Sequence, residues 1–402
     1  MALGGHGRSP FTPSRIATLL DDIALYIHWP FCLSKCPYCD FNSHVAERID
    51  QTRWRDGLLR ELERGAERVG RRRLTSIFFG GGTPSLMDPA TTAALIGRAM
   101  TLFEPAADIE ITLEANPGAV DRARFEGFRE AGVNRVSLGV QSLHEDALRF
   151  LERRHDVGEA RRAVEAAQSL FPRTSFDLIY ARPGHDPAAW RDELRAALAL
   201  AGEHLSLYQL TIEDGTRFAA DHRRGAFALP DDDNAIALWD ITQEETERAG
   251  LPRYEVSNHA RPGAESRHNM TYWQGGDYLG IGPGAHGRLT LGKKTYATRQ
   301  HRAPEIWLKL SESDDGATRE NMLLTDRERQ EELVLMGLRT TAGMDPARFA
   351  MLTGGTPLME ALHQPALSWL RDEGLLAPGW PLRTTSKGVL CLNSVIAALL
   401  DA

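Results

Sequence analysis

Short apolar runs alternate with longer amphipathic segments through the first half of the chain. The runs are rich in β-branched and aromatic residues and predict strands at 25–29, 76–80, 109–115, 135–140, 175–180 and 204–212. Two intervening segments begin with an Asp-Pro pair, at Asp88–Pro89 and Asp186–Pro187, which is typical of an N-cap followed by the first helical residue. This alternation indicates βα units around a parallel sheet, and we predict an α/β fold, a partial (β/α)6 barrel.

The pattern changes after residue 250. Residues 255–300 are rich in Gly, His, Tyr and Asn and predict loops and short strands, whereas the chain is helical again from about residue 315. We therefore divide the chain into an N-terminal segment (1–24), the barrel (25–250), an extension of the barrel (251–314) and a small C-terminal helical domain with a winged-helix-like pattern (315–402). That domain holds 8 basic and 11 acidic residues, so a structural cap is favoured over a redox-sensing DNA-binding module.

The composition excludes several classes of protein. The 402 residues are 42% hydrophobic and carry a net charge of −8, so the core needs no disulfide framework and the acidic balance does not support a general nucleic-acid binder. No apolar run approaches the ~20 residues of a membrane-spanning helix. We predict a cytoplasmic protein that binds no nucleic acid, and leave open whether it sits at the inner-membrane surface and whether it dimerises.

Three of the four cysteines lie together directly after the first predicted strand, at Cys32, Cys36 and Cys39. Bunched cysteines in a large chain indicate a metal or catalytic site in a reducing compartment. Iron–sulfur cubanes are normally held by four thiolates, so three would leave one iron open to a substrate or cofactor. Zinc held by these cysteines and His28 or His44 fits the same spacing. The fourth cysteine, Cys391, lies in an apolar helical run and is expected to be buried.

A glycine run, FFGGGTPS, follows the second predicted strand at residues 78–85. Consecutive glycines let a ligand approach the backbone closely, and backbone amides can then bind its polar groups. Such a run alone is usually a tight turn. Its position after the strand that follows the cysteine motif makes a cofactor site the stronger interpretation.

With these two motifs the sequence resembles the radical S-adenosylmethionine (SAM) enzymes. The stretches YIHWPFC, CPYCDFNSH, IFFGGGTPSL, LEANPG, GVNRVSLGVQS and FDLIY are similar to the family of oxygen-independent coproporphyrinogen III dehydrogenases and HemW-type heme chaperones. The resemblance implies a [4Fe–4S] cluster on the three cysteines, with SAM on the open iron as the source of a radical. It implies SAM contacts for Tyr26, Tyr38, Gly81, Gly82, Thr83, Glu114, Gln141, Arg153 and Asp177. For Gln141 and Asp177, polar caps at strand ends are an equal alternative, as is a solvated charge cluster for Arg153.

Several features favour the chaperone branch of that family. The dehydrogenases carry a further cysteine where this chain has Phe41, and a longer N-terminal extension than the 24 residues that precede the first strand here. The stretch RHNMTYW (267–273) fits the His-Asn-x-x-Tyr-Trp motif associated with heme. It implies a heme site whose candidate residues are His268, Asn269, Tyr272, Trp273 and His286, with His268 as the first candidate for the iron ligand and His286 as the second. Histidine can ligate heme iron and aromatic rings can stack on a porphyrin, although an aromatic core patch gives the same pattern.

The resemblance therefore implies a chaperone that binds [4Fe–4S], SAM and heme and delivers heme to a hemoprotein, with a respiratory enzyme at the membrane surface as one candidate. The alternative is an enzyme, the oxygen-independent coproporphyrinogen III oxidase, which performs oxidative decarboxylation in porphyrin biosynthesis. No catalytic residue is assigned. One departure from the family is Ala181–Arg182 in place of Gly-Leu after the fifth strand. If that glycine has a positive φ, the alanine is expected to adopt a different turn.

Overall fold

A computed structural model describes residues 21–46 and 48–400, so the segment 1–24 falls almost wholly outside the described residues. In chain order the strands are β1 (Asp22–Trp29), β2 (Phe31–Cys32), β3 (His44–Val45), β4 (Arg73–Gly81), β5 (Glu104–Ala115), β6 (Arg135–Gln141), β7 (Arg173–Tyr180), β8 (His204–Gln209), β9 (Asn258–Ala260), β10 (Asp277–Ile281), β11 (His286–Leu291), β12 (Lys294–Gln300) and β13 (Thr318–Leu323).

The helices cover the barrel and build the C-terminal region. They are α1 (Gln51–Val69), α2 (Pro89–Leu102), α3 (Arg122–Glu130), α4 (Glu145–Phe150), α5 (Val157–Leu170), α6 (Pro187–Leu200), α7 (Arg217–Arg223), α8 (Asp232–Arg248), α9 (Arg267–Trp273), α10 (Pro304–Ser311), α11 (Asp326–Gly337), α12 (Pro346–Leu352), α13 (Leu358–Ala361), α14 (Gln364–Asp372), α15 (Ser386–Val389) and α16 (Leu392–Leu400), with 3-10 turns at Pro84–Leu86 and Pro117–Ala119. No described helix has the length and apolar character needed to cross a bilayer.

Eleven strands form one mixed sheet in the order β13-β12-β11-β10-β1-β4-β5-β6-β7-β8-β9. The stretch from β10 to β8 is parallel throughout, which confirms the predicted α/β class. The helices α2 and α6 begin as predicted, because the side chains of Asp88 and Asp186 cap their free N–H groups.

Two details of the sheet differ from the prediction. The strand expected at 204–212 ends at Gln209, because the N–H of Leu210 turns to the carbonyl of Tyr180. In addition, β10 pairs in parallel with β1, so one of the short strands expected within 255–300 extends the parallel sheet, a position that the sequence did not indicate. Its sequence, DYLGI, is only five residues long, which is too short to show a period of two.

The two largest hydrophobic cores of the described residues lie in different parts of the chain. The first lies between the sheet and its helices and contains Phe79, Trp190 and Leu279. The second lies within the C-terminal helices and is built around residues such as Phe349 and Leu399. In the described part of this domain, the β-structure consists of isolated bridges between residues 344 and 382 and between residues 376 and 384.

Cys391 is half-buried, so the expectation that it is buried was wrong. The apolar run around it is interrupted, since α15 ends at Val389 and α16 begins at Leu392. The thiol therefore lies at a helix junction, where it packs against the second core from outside.

Candidate functional site

Strand register brings several predicted residues to one face of the sheet. Alternate residues of a strand share a face, and partners in neighbouring strands lie side by side. Glu114 pairs with Ser137 and Asp177 with Ser206. Both carboxylates, together with Tyr26, line a polar cavity of about 200 Å³ on the inner face of the curved sheet.

The cysteine loop lies beside this face. Cys32 ends the short strand β2, which pairs with β3, and the loop between these strands carries Cys36 and Cys39. A cleft of about 140 Å³ is lined by the three cysteines and by all of the predicted SAM residues except Tyr26, namely Tyr38, Gly81, Gly82, Thr83, Glu114, Gln141, Arg153 and Asp177. The structure thus brings together residues from the ends of several strands.

Polar groups approach the cysteine sulfurs. Thr83 Oγ1 donates to Sγ of Cys32 over 3.4 Å, and a guanidinium N–H of Arg153 donates to Sγ of Cys36 over 3.3 Å. Burial raises the pKa of the Cys32 and Cys39 thiols, which favours protonation in the absence of a metal. Because a cysteine ligates a metal as the thiolate and not as the thiol, cluster binding must displace these protons, and the hydrogen bond from Thr83 favours the charged form of Cys32.

Protein atoms pack closely against the glycine run and leave no room for side chains there. A Cβ on Gly81, whose φ is +116°, would lie 2.7 Å from the ring of His28. A Cβ on Gly82 would lie 2.7 Å from the carbonyl oxygen of Phe31 and 3.0 Å from Sγ of Cys32. The need for glycine here therefore comes from packing of the loop, whereas the sequence pattern suggested only approach of a ligand.

Glu114 lies where three cavities meet: it lines the 140 Å³ cleft, the 200 Å³ cavity and a third cleft of about 620 Å³. Burial, and then the neighbouring carboxyl of Asp177, raise the pKa of Glu114 to about 8. Burial also raises the pKa of Asp177 to about 6. Two buried carboxyls with raised pKa values favour a cationic ligand between them.

One left-handed residue ends β6 and another directly follows β7. Gln141 has φ +71° and Ala181 has φ +54°. The expectation of a different turn at Ala181 was therefore wrong, because the alanine keeps the conformation that glycine adopts freely. The turn is held by the buried Arg182, which donates to Glu193 over 2.6 Å.

The 620 Å³ cleft lies between the β10–β12 end of the sheet, α9 and α11. Of the residues predicted for heme, it is lined by Tyr272, Trp273 and His286. The ring of His286 forms no hydrogen bond with any described residue, and burial against the cleft lowers its pKa. Its imidazole is therefore neutral near pH 7, which is the form that ligates metals.

His268 and Asn269 do not line this cleft; both line the 200 Å³ cavity instead. His268 is buried, with Nδ1 3.0 Å from Ser76 Oγ and Nε2 2.5 Å from the hydroxyl of Tyr272. Its ring stacks on Phe78 at 4.8 Å, and burial lowers its pKa to about 3. The predicted ligand thus has both ring nitrogens engaged within the protein, so its role as an iron ligand stays a prediction.

Comparison with known proteins shows which family the chain resembles. Residues 26–197 match the radical SAM superfamily and residues 324–390 match the HemN C-terminal domain. The chain is 37% identical to the heme chaperone HemW of Escherichia coli, over 95% of this chain and 99% of that one. It is 38% identical to the mitochondrial radical S-adenosyl methionine domain-containing protein 1 of Bos taurus, over 94% of this chain and 87% of that one.

The chain belongs to the HemW family of radical SAM proteins. Its fold resembles the solved structure of the coproporphyrinogen III oxidase HemN from Escherichia coli, with a TM-score of 0.79, 21% identity, and coverage of 96% of this chain and 93% of that one. Membership of the HemW family implies a [4Fe–4S] cluster and SAM, as predicted. When bound, the cluster and SAM would supply the redox and radical chemistry of the site, and the protein would position and shield them.

The residues present fit these two cofactors, and both histidines of the zinc alternative are hydrogen-bonded within the protein. Nε2 of His44 lies 3.3 Å from Oδ1 of Asn42. His28 is not free to ligate zinc, because Nδ1 lies 2.9 Å from the hydroxyl of Tyr26 and Nε2 lies 2.9 Å from the carbonyl oxygen of Asn42. Burial lowers the pKa of His28 to about 4. In this HemW-family chain the three cysteines would hold the cluster, and Glu114 would accept hydrogen bonds from SAM.

Sequence reasoning missed a group of arginines in the large cleft. These are Arg288, Arg299, Arg302 and Arg329. They come from two strands, a loop and a helix, and isolated arginines in a chain this rich in charge resemble ordinary surface residues. The one available signal was the spacing of His286 and Arg288: residues two apart in a strand share a face of the sheet.

Proposed function

We propose that the chain is a heme chaperone that holds heme in the 620 Å³ cleft and delivers it to a hemoprotein. The observation that carries the proposal is the position of this cleft. It is lined by Tyr272, Trp273 and His286, and it shares Gly81 and Glu114 with the cysteine cleft. A cleft of this size with aromatic walls suits a flat apolar ligand with a few polar groups.

A buried polar atom supports the fit. The indole Nε1 of Trp273 is buried and has no hydrogen-bond partner among the described residues. Such groups are rare, because leaving a buried donor unpaired is costly. A ligand in the cleft would cover the indole ring and supply an acceptor for its N–H group.

Two histidines are candidates for the iron ligand, and the geometry favours His286. Its ring faces the cleft without a partner, whereas His268 would have to leave both Ser76 and Tyr272. On this proposal His268 is a positioning residue that fixes the hydroxyl of Tyr272. Replacing either histidine with alanine should then weaken heme binding. Loss of His286 would remove the iron ligand, whereas loss of His268 would release the hydroxyl of Tyr272.

The C-terminal domain contributes to the same cleft. Arg329, Glu332 and Met336 of α11 line one wall, so movement of this domain relative to the sheet would open the cleft for transfer. The proposed recipient is a hemoprotein, and a respiratory enzyme at the membrane surface is the candidate class. The proposed compartment is the cytoplasm.

Titration of the purified protein with hemin tests the proposal. The wild type should bind about one equivalent with a defined Soret band. Trp273→Ala should weaken binding by roughly tenfold, because a stacking surface is lost, whereas Trp369→Ala should not, since Trp369 is 53% exposed on the C-terminal domain outside the cleft. Thermal melts of both variants check that the fold is retained. Absence of hemin binding, or equal losses in the two variants, would refute the proposed site.

The spectrum separates the two histidines. His286→Ala should shift the Soret band, because the axial ligand changes. His268→Ala should weaken binding with little change in band position. A Soret shift in His268→Ala alone would assign the ligand to His268.

A further inference from the structure

One end of the 620 Å³ cleft is strongly basic. Arg288, Arg299, Arg302 and Arg329 line it, and the carboxylates in its lining are Glu332 and Glu114. Glu114 lies at the junction with the cysteine cleft, where burial first and then the carboxyl of Asp177 raise its pKa to about 8. The cleft therefore carries an excess of positive charge at neutral pH.

Two of these arginines form ion pairs within the wall of the cleft. Arg288 donates to Glu332 over 2.7 Å, and Arg329 donates to the other oxygen of Glu332 over 3.1 Å. Arg329 also donates to the carbonyl oxygen of Gly275 over 2.6 Å. One carboxylate is thus shared by two guanidinium groups, which ties α11 to β11.

The other two arginines have capacity left for a ligand. The contact of Arg299 with Glu320 is loose, at 3.7 Å, and its buried Nε has no partner among the described residues. Arg302 forms no side-chain hydrogen bond or ion pair with any described residue, although it lines the cleft. Two guanidinium groups with free hydrogen-bonding capacity, in a cleft that also has aromatic walls, suit an anionic ligand.

Their backbone is fixed beside the proposed iron ligand. Arg299 of β12 is the direct cross-strand partner of His286 in β11, so the two side chains leave the same face of the sheet. The carbonyl of Arg302 accepts a hydrogen bond from the side chain of Asn42 over 2.9 Å. Because Asn42 also donates to Pro283, the cysteine loop holds this end of the cleft in place.

We infer that Arg299 and Arg302 bind the propionate carboxylates of a porphyrin, with its apolar plane against Tyr272 and Trp273. The inference rests on the proposed heme binding and adds the groups that orient the ligand. Guanidinium–carboxylate hydrogen bonds are short, strong and directional. They would define which edge of the porphyrin enters the cleft.

The test compares hemin with hemin dimethyl ester, in which the propionate charges are removed and the ring is unchanged. Both are titrated into the full-length protein in the same buffer with the same fraction of organic cosolvent. The variants are Arg299→Gln, Arg302→Gln and the double variant. Arg319→Gln is the matched control, because Arg319 is an exposed arginine on the neighbouring strand β13 that does not line the cleft.

Each single variant should weaken hemin binding by about tenfold, and the double variant by more, because charge-assisted hydrogen bonds are lost. Affinity for the dimethyl ester should change by less than twofold in every variant. Arg319→Gln should leave both affinities unchanged.

The inference is overturned if wild type binds hemin and its ester equally, or if the variants weaken both ligands alike. In those cases the proposed function stands and only the role of the arginines fails. If wild type binds neither ligand, the proposed function fails as well.

Discussion

The backbone N–H of Gly81 donates a hydrogen bond to Oε2 of Glu114 over 3.2 Å. This bond joins the end of β4, within the glycine run, to the end of β5, at the point where three cavities meet. Glu114 is buried, and its raised pKa of about 8 means that the carboxyl holds a proton near neutrality. A charged acceptor for SAM would thus have to release that proton on binding.

SAM affinity should therefore depend on pH. The folded pKa of Glu114 lies above the ordinary value near 4.5, so the carboxylate form becomes available only as pH rises towards 8. Affinity should rise by up to about tenfold per pH unit between pH 6 and 8 and level off above that range. Glu114→Gln should bind weakly with a flatter profile. Calorimetry in buffers of different ionisation enthalpy measures the proton release, and a flat wild-type profile would contradict this role.

Gly82→Ala should reduce cluster loading. The added Cβ would press on the Phe31 carbonyl and on Sγ of Cys32, and neither can move without shifting the cysteine loop. We expect less than half of the wild-type iron content after anaerobic reconstitution. Gly97→Ala is the control, because nothing lies within 4 Å of that position in α2. Full iron loading in Gly82→Ala would show that the loop tolerates the shift.

Cys36→Ser should abolish the visible absorbance of the cluster, because only two thiolates would remain. Cys391→Ala should retain it, since that half-buried thiol belongs to the second core. Iron analysis of both reconstituted variants makes the comparison. Loss of iron from Cys391→Ala would rule out a site with three cysteine ligands.

Ala181→Gly should stabilise the fold. Alanine at φ +54° is strained, and glycine adopts this conformation freely, so the free energy of unfolding should rise by about 1 kcal/mol. Ala93→Gly in the exposed interior of α2 should lower it by about the same amount. Urea unfolding of both variants gives the two values. A loss of stability in Ala181→Gly would mean that the turn is not strained.

The sequence predicted the parallel sheet well, because buried strands and Asp-Pro helix starts are local signals. It predicted short strands within 255–300 but did not place β10 in the parallel sheet, since five residues with a glycine carry no clear period. The left-handed Ala181 was also missed, because its turn is held from a distance by the pair of Arg182 and Glu193. Contacts in the folded protein thus overrode the preference of alanine for a negative φ.

For the site, motifs in short continuous stretches were informative. The cysteine loop and the glycine run lie together in one cleft. The RHNMTYW helix was harder to interpret, because His268 and Trp273 are five residues apart and so lie on different sides of the helix. His268 lines the 200 Å³ cavity and Trp273 lines the large cleft. The arginines of that cleft are distant in sequence, and only the fold brings them together.

The central claim is tested most directly by giving the same reconstituted protein two tetrapyrroles and measuring what becomes of each. Under anaerobic conditions, the protein with SAM and reductant is incubated either with hemin and an apo-hemoprotein or with coproporphyrinogen III. We predict that heme appears in the recipient, as seen by its spectrum, and that chromatography detects no vinyl products from coproporphyrinogen III. Vinyl products formed in proportion to the SAM cleaved, without heme transfer, would show that the chain is a decarboxylating enzyme and contradict the proposed chaperone function.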